Sequence, residues 1–453
     1  MKHPRHNKYS IRLLGLFLLA PLLCLAFAQA KADSLPEPIM RLEKNKTEAM
    51  NALPTEINSV PAVSSAWQLI QKNLQLKPAT HAAALGLVKK YEAWYGEHPA
   101  YTKRMLERST KYLAYVVNEV NKRKMPSEIA LLPMIESAYN PMAKSSKEAV
   151  GIWQFIPGTG RDFGLEQNDW VDQRKGVVQS TQAALNYLER LYGQFGSWEL
   201  ALAAYNAGEG RISKAIAANK KLGKPVDYYN LTLNLETREY VPKLLAIKTI
   251  LQAPEKYQLT LPKIGMENYF QEVTLTQAVD ADIIPSLAGI SEEEFKMLNA
   301  EHKMPLLTPE GSAKKVLLPI RSTETFRLAL ANATQPLANW LIYKLNEGET
   351  ARTIAERFNL DLAALKKLNH LTEYAPLTSN MTLLVPKDPR RLAYYIAQQN
   401  SEQRSGAITH HISPGDNLRS IARKYKVSTE ALMAFNELRS EKLIIGTAID
   451  IPK

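Results

Sequence analysis

Cysteine is nearly absent: Cys24 is the only one in 453 residues. A single chain can therefore close no disulfide framework, and no cysteine cluster is present for zinc or redox work. Histidine is scarce as well. Eight are scattered along the chain, two of them adjacent at His410-His411, and no H-E-x-x-H spacing occurs. A metalloprotease-type centre is excluded on that ground, and neither a metal nor an organic cofactor is expected. Beyond the N-terminus no segment is long and apolar enough to span a bilayer. Aromatic residues do not interleave with basic ones as in a nucleic-acid module, so no nucleic-acid partner is expected.

The one long apolar run is Leu13 to Ala28, behind Lys2, Arg5, Lys8 and Arg12 and followed by small residues at Ala26, Ala28 and Ala30. That order is expected of a signal peptide over residues 1–30, directing the protein to the periplasm; a retained anchor is the alternative. Leu22 and Leu23 are bulky where a lipidation site wants small residues, so Cys24 is expected to leave with the leader. The formal charge is +12, and the leader carries four of the basic residues and no acid, which leaves +8. A basic exported protein meets envelope polyanions, although a merely solvated basic surface fits the same number.

The length exceeds one ordinary core, so several domains are expected. Residues 31–94 read as a proline-broken polar lead-in, with Pro36, Pro38, Pro54 and Pro61, followed by a helical segment. From about Ser65 to Tyr240 the periodicity is helical. Leu106, Tyr112, Leu113, Tyr115, Val116, Val117 and Val120 form one broad apolar stripe, and further helices are predicted over 126–138, 176–192, 198–205 and 236–251. After residue 262 the chain turns to short β-branched stretches. Gly348, Ile354, Ala355, Phe358, Leu365 and Asn369 recur as Gly415, Ile421, Ala422, Tyr425, Leu432 and Asn436 at a constant offset of 67. Each copy closes on a strand ending in proline, at Pro386 and Pro452. A fainter copy, with Ile284, Ile290, Phe295 and Asn299, has Ala278 in place of the turn glycine. The expected modules are 270–320, 341–387 and 408–453, with a linker over 388–407.

The chemistry concentrates between Met125 and Gln154. Ile129, Leu132 and Glu136 share one face of the predicted helix, with Pro126 in its first turn and Pro133 bending it. A carboxylate among apolar residues near a helix C-terminus has its pKa raised by burial and by the dipole, as a general acid near neutral pH requires. An exposed, salt-bridged glutamate is the plain alternative. The surroundings favour the first reading. Gly151-Ile152-Trp153-Gln154 and Ala204-Tyr205-Asn206-Ala207-Gly208 bring aromatic faces and amides, which suit sugar rings and acetamido groups.

Glu136-Ser137, Gly151-Ile152-Trp153-Gln154, Ala204-Tyr205-Asn206-Ala207-Gly208 and Tyr240 within Glu236-Thr237-Arg238-Glu239-Tyr240-Val241-Pro242-Lys243 resemble the four ordered motifs of family 1 lytic transglycosylases. The resemblance covers about 95–262, and the duplicated tail resembles LysM modules; that domain order fits subfamily D. It implies a multidomain protein: a mainly α-helical, lysozyme-like catalytic domain followed by small α+β (βααβ) modules that bind N-acetylglucosamine-containing glycans. It further implies Glu136 as sole catalytic acid and base and Tyr240 as the tyrosine positioning it. Ser137, Ser145, Gln154, Tyr205 and Asn206 are implied as substrate-binding. The implied reaction splits the bond between N-acetylmuramic acid and N-acetylglucosamine in peptidoglycan without water, leaving 1,6-anhydro ends. Relatives called membrane-bound carry a lipidated cysteine, and this leader lacks that site, so a wall-associated periplasmic monomer is expected, with association with the outer membrane as the alternative. The rival readings are a lysozyme-type hydrolase using Asp162, Asp169 or Asp172 as second carboxylate, and a wall-binding scaffold without catalysis.

Overall fold

The computed structural model describes residues 65–451 apart from 373–376, 380, 406–407, 412–415, 437, 439–442 and 444–447. The expected signal peptide, Cys24, most of the lead-in, Gly415 and Pro452 lie outside the described residues.

Helices α1 (Ala66–Lys72), α2 (Ala82–Glu97), α3 (Pro99–Ser109) and α4 (Leu113–Lys122) open the described chain. The expected division between 94 and 95 does not appear in the packing. Ala66, Trp67, Ile70 and Val88 lie in the same hydrophobic core as Leu132, Trp153 and Leu244. The stripe from Leu106 to Val120 is likewise two helices rather than one. At the break, the hydroxyls of Ser109 and Thr110 donate to the carbonyls of Leu106 (2.6 Å) and Glu107 (2.7 Å), competing with the helical ladder.

The rest of this core runs through a 3₁₀ turn (Ser127–Leu131), α5 (Leu132–Ser137), α6 (Pro157–Asp162), α7 (Val177–Phe195), α8 (Trp198–Ala207), α9 (Glu209–Lys221) and α10 (Leu235–Gln252). Ser197 and Asn234 cap α8 and α10 through their side chains. Glu128, whose side chain is 0% exposed, fastens three segments together. It accepts from the amides of Gln75 (3.0 Å) and Leu76 (2.9 Å) and from Lys248 Nζ on α10 (2.8 Å).

Three modules follow, each closing two short helices with one antiparallel strand pair. The first pairs β1 (Phe270–Thr274) with β4 (Lys315–Pro319) around α11 (Ile284–Ala288) and α12 (Glu292–Leu298). It also holds a second pair, β2 (Val279–Asp280) and β3 (Leu306–Leu307). Helix α13 (Ile320–Ala331) adds Phe326 and Leu330 to its core. The second pairs β5 (Trp340–Lys344) with β6 (Thr382–Pro386) around α14 (Ala351–Arg357) and α15 (Leu362–Leu368). The expected linker 388–407 is instead mostly helix α16 (Pro389–Ser405), because Leu392 buries into the second module's core with Tyr395 and Ile396 against it. The third pairs β7 (Ile408–His411) with β8 (Ala448–Ile451) around α17 (Leu418–Tyr425) and α18 (Thr429–Phe435).

The repeated asparagine has a physical reason. Asn369 Nδ2 donates to Leu365 O and Leu384 O (both 3.0 Å), and its Oδ1 accepts from Leu384 N (2.6 Å). The buried amide thus staples the second helix to the closing strand. Asn299 makes the equivalent bonds to Phe295 and Leu317 in the first module, and Asn436 donates to Leu432 O in the third. Asn369→Ala leaves the Leu384 amide and carbonyl without this partner inside the module. Urea unfolding is expected to show the second module's transition lowered by about 2 kcal/mol or more.

The modules are tied to their neighbours by pairs as well as by packing. The core's loop at 168–172 meets the first module through Asp172 N to Glu301 O (2.8 Å) and Lys303 N to Trp170 O (2.9 Å). Arg391 of α16 reaches back to the buried Asp280 (2.7 Å) and to Asp282 (3.0 Å).

Candidate active site

Helix 126–138 was expected as one piece. It forms as the 3₁₀ turn followed by the six-residue α5, with Pro133 in the first turn of α5, where its missing amide proton costs nothing. The chain then stops abruptly, because Ala138 (φ 51°) and Tyr139 (φ 55°) are both left-handed. For residues with a Cβ that is strained backbone, and packing enforces it. Tyr139 is buried, stacks on Tyr112 (6.3 Å), and donates its hydroxyl to Ala130 O (2.7 Å). Glu136 is held two residues before this stop.

Glu136 opens on a cleft of about 810 Å³ also lined by Ser145, Gln154, Tyr187, Tyr205, Asn206, Glu236, Tyr240 and Lys243. Burial pushes its pKa up to about 7. The hydrogen bond from Tyr240 lowers it, the Glu236 charge raises it and the Lys243 charge lowers it. A helix of six residues has little dipole, so burial rather than the helix terminus provides most of the shift. Tyr240, on α10, donates to Glu136 Oε1 at 2.5 Å, and burial raises its own pKa so that it stays a donor.

The Gly-Ile-Trp-Gln segment folds as it does because of Gly151. Its φ is 82°, and a Cβ there would stand 2.1 Å from Arg174 O. Trp153 is fully buried and donates to Thr181 Oγ1 (2.9 Å), so it is core rather than a sugar platform. Gln154, again left-handed (φ 53°), lines the cleft with its Nε2 donating to Gly151 O (2.8 Å). Ser145 Oγ accepts from the amides of Lys147 (3.2 Å) and Ala149 (3.1 Å), which leaves its proton to donate into the cleft. Tyr205 presents its ring while its hydroxyl donates to Trp153 O (2.8 Å). Asn206 Oδ1 accepts from Thr237 Oγ1 (2.8 Å). Ser137 does not line the cleft. Its hydroxyl donates to Ile152 O (3.0 Å) and ties α5 to the 151–154 turn.

Residues 115–227 match the family described as Transglycosylase SLT domain. Residues 343–386 and 410–452 match LysM domain, and 269–335 match Lytic transglycosylase MltD, LysM-like domain. The chain is 35% identical over 363 residues to membrane-bound lytic murein transglycosylase D of Escherichia coli (strain K12), covering 77% of this chain and 78% of that protein. The chain belongs to the lytic murein transglycosylase family.

Another member, the soluble lytic murein transglycosylase of Salmonella typhimurium, is 33% identical over 116 residues, 24% of this chain and 18% of that protein. The solved structure of an inactive mutant of the lytic transglycosylase Slt from Pseudomonas aeruginosa is 26% identical and covers 31% of this chain and 24% of that one, with a TM-score of 0.23. In this transglycosylase the aspartates weighed as second carboxylates stand away from the cleft lining. Asp172 forks onto Arg174 (2.7 and 2.9 Å), which in turn donates to Glu148 O and Phe155 O and holds the 148–155 loop. Among the charged cleft residues, Lys147, Arg211, Glu236 and Lys243 were given no role from the sequence, and a signal was available for Glu236 and Lys243. Both lie in the segment around Tyr240, at positions i−4 and i+3 on the same helix face, and that spacing was the available signal.

Proposed function

We propose that this chain cleaves peptidoglycan glycan strands as a lytic transglycosylase, with Glu136 as the only acid and base. The observation that carries the reading is a carboxyl group held near neutral pKa in a cleft, with Tyr240 donating to it at 2.5 Å. Glu136 in its protonated form gives its proton to the oxygen linking N-acetylmuramic acid to N-acetylglucosamine. The muramyl 2-acetamido oxygen stabilises the cationic centre at C1 as that bond breaks. Glu136, now ionised, takes the proton of the muramyl C6 hydroxyl, whose oxygen bonds to C1. One proton leaves and one returns, and no water is consumed. Tyr240 steadies the ionised form between these transfers. Ser145, Gln154, Tyr205 and Asn206 are the proposed substrate contacts.

Glu236 is the other carboxylate of the cleft, and it is engaged by Lys147 (3.2 Å) and faced by Asn206 Nδ2 (3.5 Å). The proposal assigns it no proton transfer. Export by a leader at 1–30 would place the enzyme in the periplasm, and the LysM modules would hold it to the glycan.

Mass spectrometry of muropeptides released from purified sacculi tests the reading. Anhydromuramyl ends are expected, and mainly reducing muramic acid ends would overturn it. Tyr240→Phe removes the one hydrogen bond that favours ionised Glu136, so the pKa of about 7 moves further up. Since the first step needs the protonated form, the alkaline limb of kcat/KM is expected to shift to higher pH, with a smaller rate loss than at Glu136 itself.

A further inference from the structure

The cleft contains more positive charge than its own acids can neutralise. Its charged lining consists of Glu136, Glu236, Lys147, Arg211 and Lys243. Lys147 and Glu236 pair with each other at 3.2 Å. Glu136, with a pKa of about 7, is only partly ionised at neutral pH. Arg211 and Lys243 remain, and neither makes an ion pair among the described residues. Lys243 is half-buried with its ammonium 5.0 Å from the centre of the Tyr91 ring. The Tyr91 ring face offers that ammonium a partial partner, and a ligand carboxylate would offer a full counter-charge.

The acids closest to these cations in sequence are already committed. Glu239 accepts from Lys90 Nζ (2.8 Å) and Tyr91 Oη (2.5 Å). Glu209, in the first turn of α9 with Arg211, accepts from Arg190 (2.7 Å) and Tyr187 (2.8 Å). Arg211 and Lys243 therefore stand in the cleft wall, on α9 and α10, without an ion pair among the described residues, although the Lys243 charge is felt by Glu136 and Glu239. A neutral glycan of N-acetylated sugars would offer them hydroxyl and acetamido oxygens but no carboxylate. Peptidoglycan differs from such a glycan in carrying short peptides, with free carboxylates, on its muramyl units.

We infer that Arg211 and Lys243 read the carboxylates of the stem peptides, making the enzyme selective for strands whose peptides keep those carboxylates free. The inference rests on the transglycosylase reading and specifies the substrate of that site. A guanidinium matches a carboxylate with two parallel N–H donors, and an ammonium meets it as a point charge.

The test compares the full-length protein on native sacculi and on sacculi whose carboxylates have been converted to methylamides. Wild type is expected to lose about tenfold in kcat/KM on amidated material, the size of one charge-assisted contact. Arg211→Met is expected to lose several-fold on native sacculi, in KM rather than kcat, with partial rescue in Arg211→Lys. The Arg211→Met/Lys243→Met double variant is expected to treat both substrates alike. Its LysM modules are unaltered, and a second double variant that replaces two basic residues outside the cleft controls for the two charges lost; that control is expected to keep the wild-type preference. Equal rates of wild type on both substrates would overturn the inference, as would an Arg211→Met/Lys243→Met variant that keeps the wild-type preference. Failure of the transglycosylase reading is visible separately, as missing anhydromuramyl ends on either substrate.

Discussion

Glu136→Gln is expected to lower kcat by at least about 10²–10⁴-fold, the contribution of one positioned acid or base, while binding to sacculi survives. Glutamine keeps the shape and can still accept from Tyr240, but it has no proton of the needed acidity and cannot take one back. In the proposed mechanism one residue serves both transfers, so no other carboxylate is expected to rescue the rate. Asp162→Asn and Asp169→Asn are expected to stay close to wild type, since neither side chain lines the cleft. The same variant has a stability signature of opposite sign. Glu136 has a folded pKa raised from 4.5 to about 7, so its protonated form favours folding at low pH and that advantage is lost as pH rises through 7. Glutamine does not ionise, so Glu136→Gln is expected to unfold at a higher temperature than wild type above pH 7. Turnover near normal in Glu136→Gln would remove the mechanism.

Glu128→Ala is expected to cost about 3–5 kcal/mol in the unfolding of the helical core, through structure rather than chemistry. The change strands Lys248, whose side chain is only 12% exposed, without its carboxylate. It also removes the acceptor of the Gln75 and Leu76 amides. Denaturant titration followed by tryptophan fluorescence reads the effect, and a loss below about 1 kcal/mol would show that the buried pair does not carry this load. Substrate binding by the LysM modules is expected to persist, since their cores are separate clusters.

The two variants also mark where sequence was informative. The cleft position of Glu136 was legible because its apolar neighbours, the stop before Asn140-Pro141 and the later motifs occur in one order. The module repeat was legible because a buried asparagine that must bond both a helix carbonyl and a strand amide recurs at a fixed spacing. Glu128 escaped notice because its partner is 120 residues away, a pairing that no local pattern records. The break between α3 and α4 was hidden for a different reason, since the apolar stripe continues through it and only two hydroxyl groups interrupt the ladder. Trp153 could be either a sugar platform or core from residue type alone, and the fold makes it a core indole satisfied by Thr181. The helix at 389–405 was read as a linker on its polarity, although Leu392, Tyr395 and Ile396 already lie at helical spacing. Ser137 shows the limit of transferring roles by motif: it borders Glu136 in sequence, and its hydroxyl is spent on backbone carbonyls.

The most direct test of the account is where the oxygen of the new muramyl end comes from. Digestion of sacculi by the wild-type enzyme in heavy-oxygen water, followed by mass spectrometry of the released fragments, distinguishes attack by the muramyl C6 hydroxyl from attack by solvent. The account predicts anhydromuramyl products with no label incorporated. Label at muramyl C1 in the initial products would show that water is the nucleophile and would contradict it.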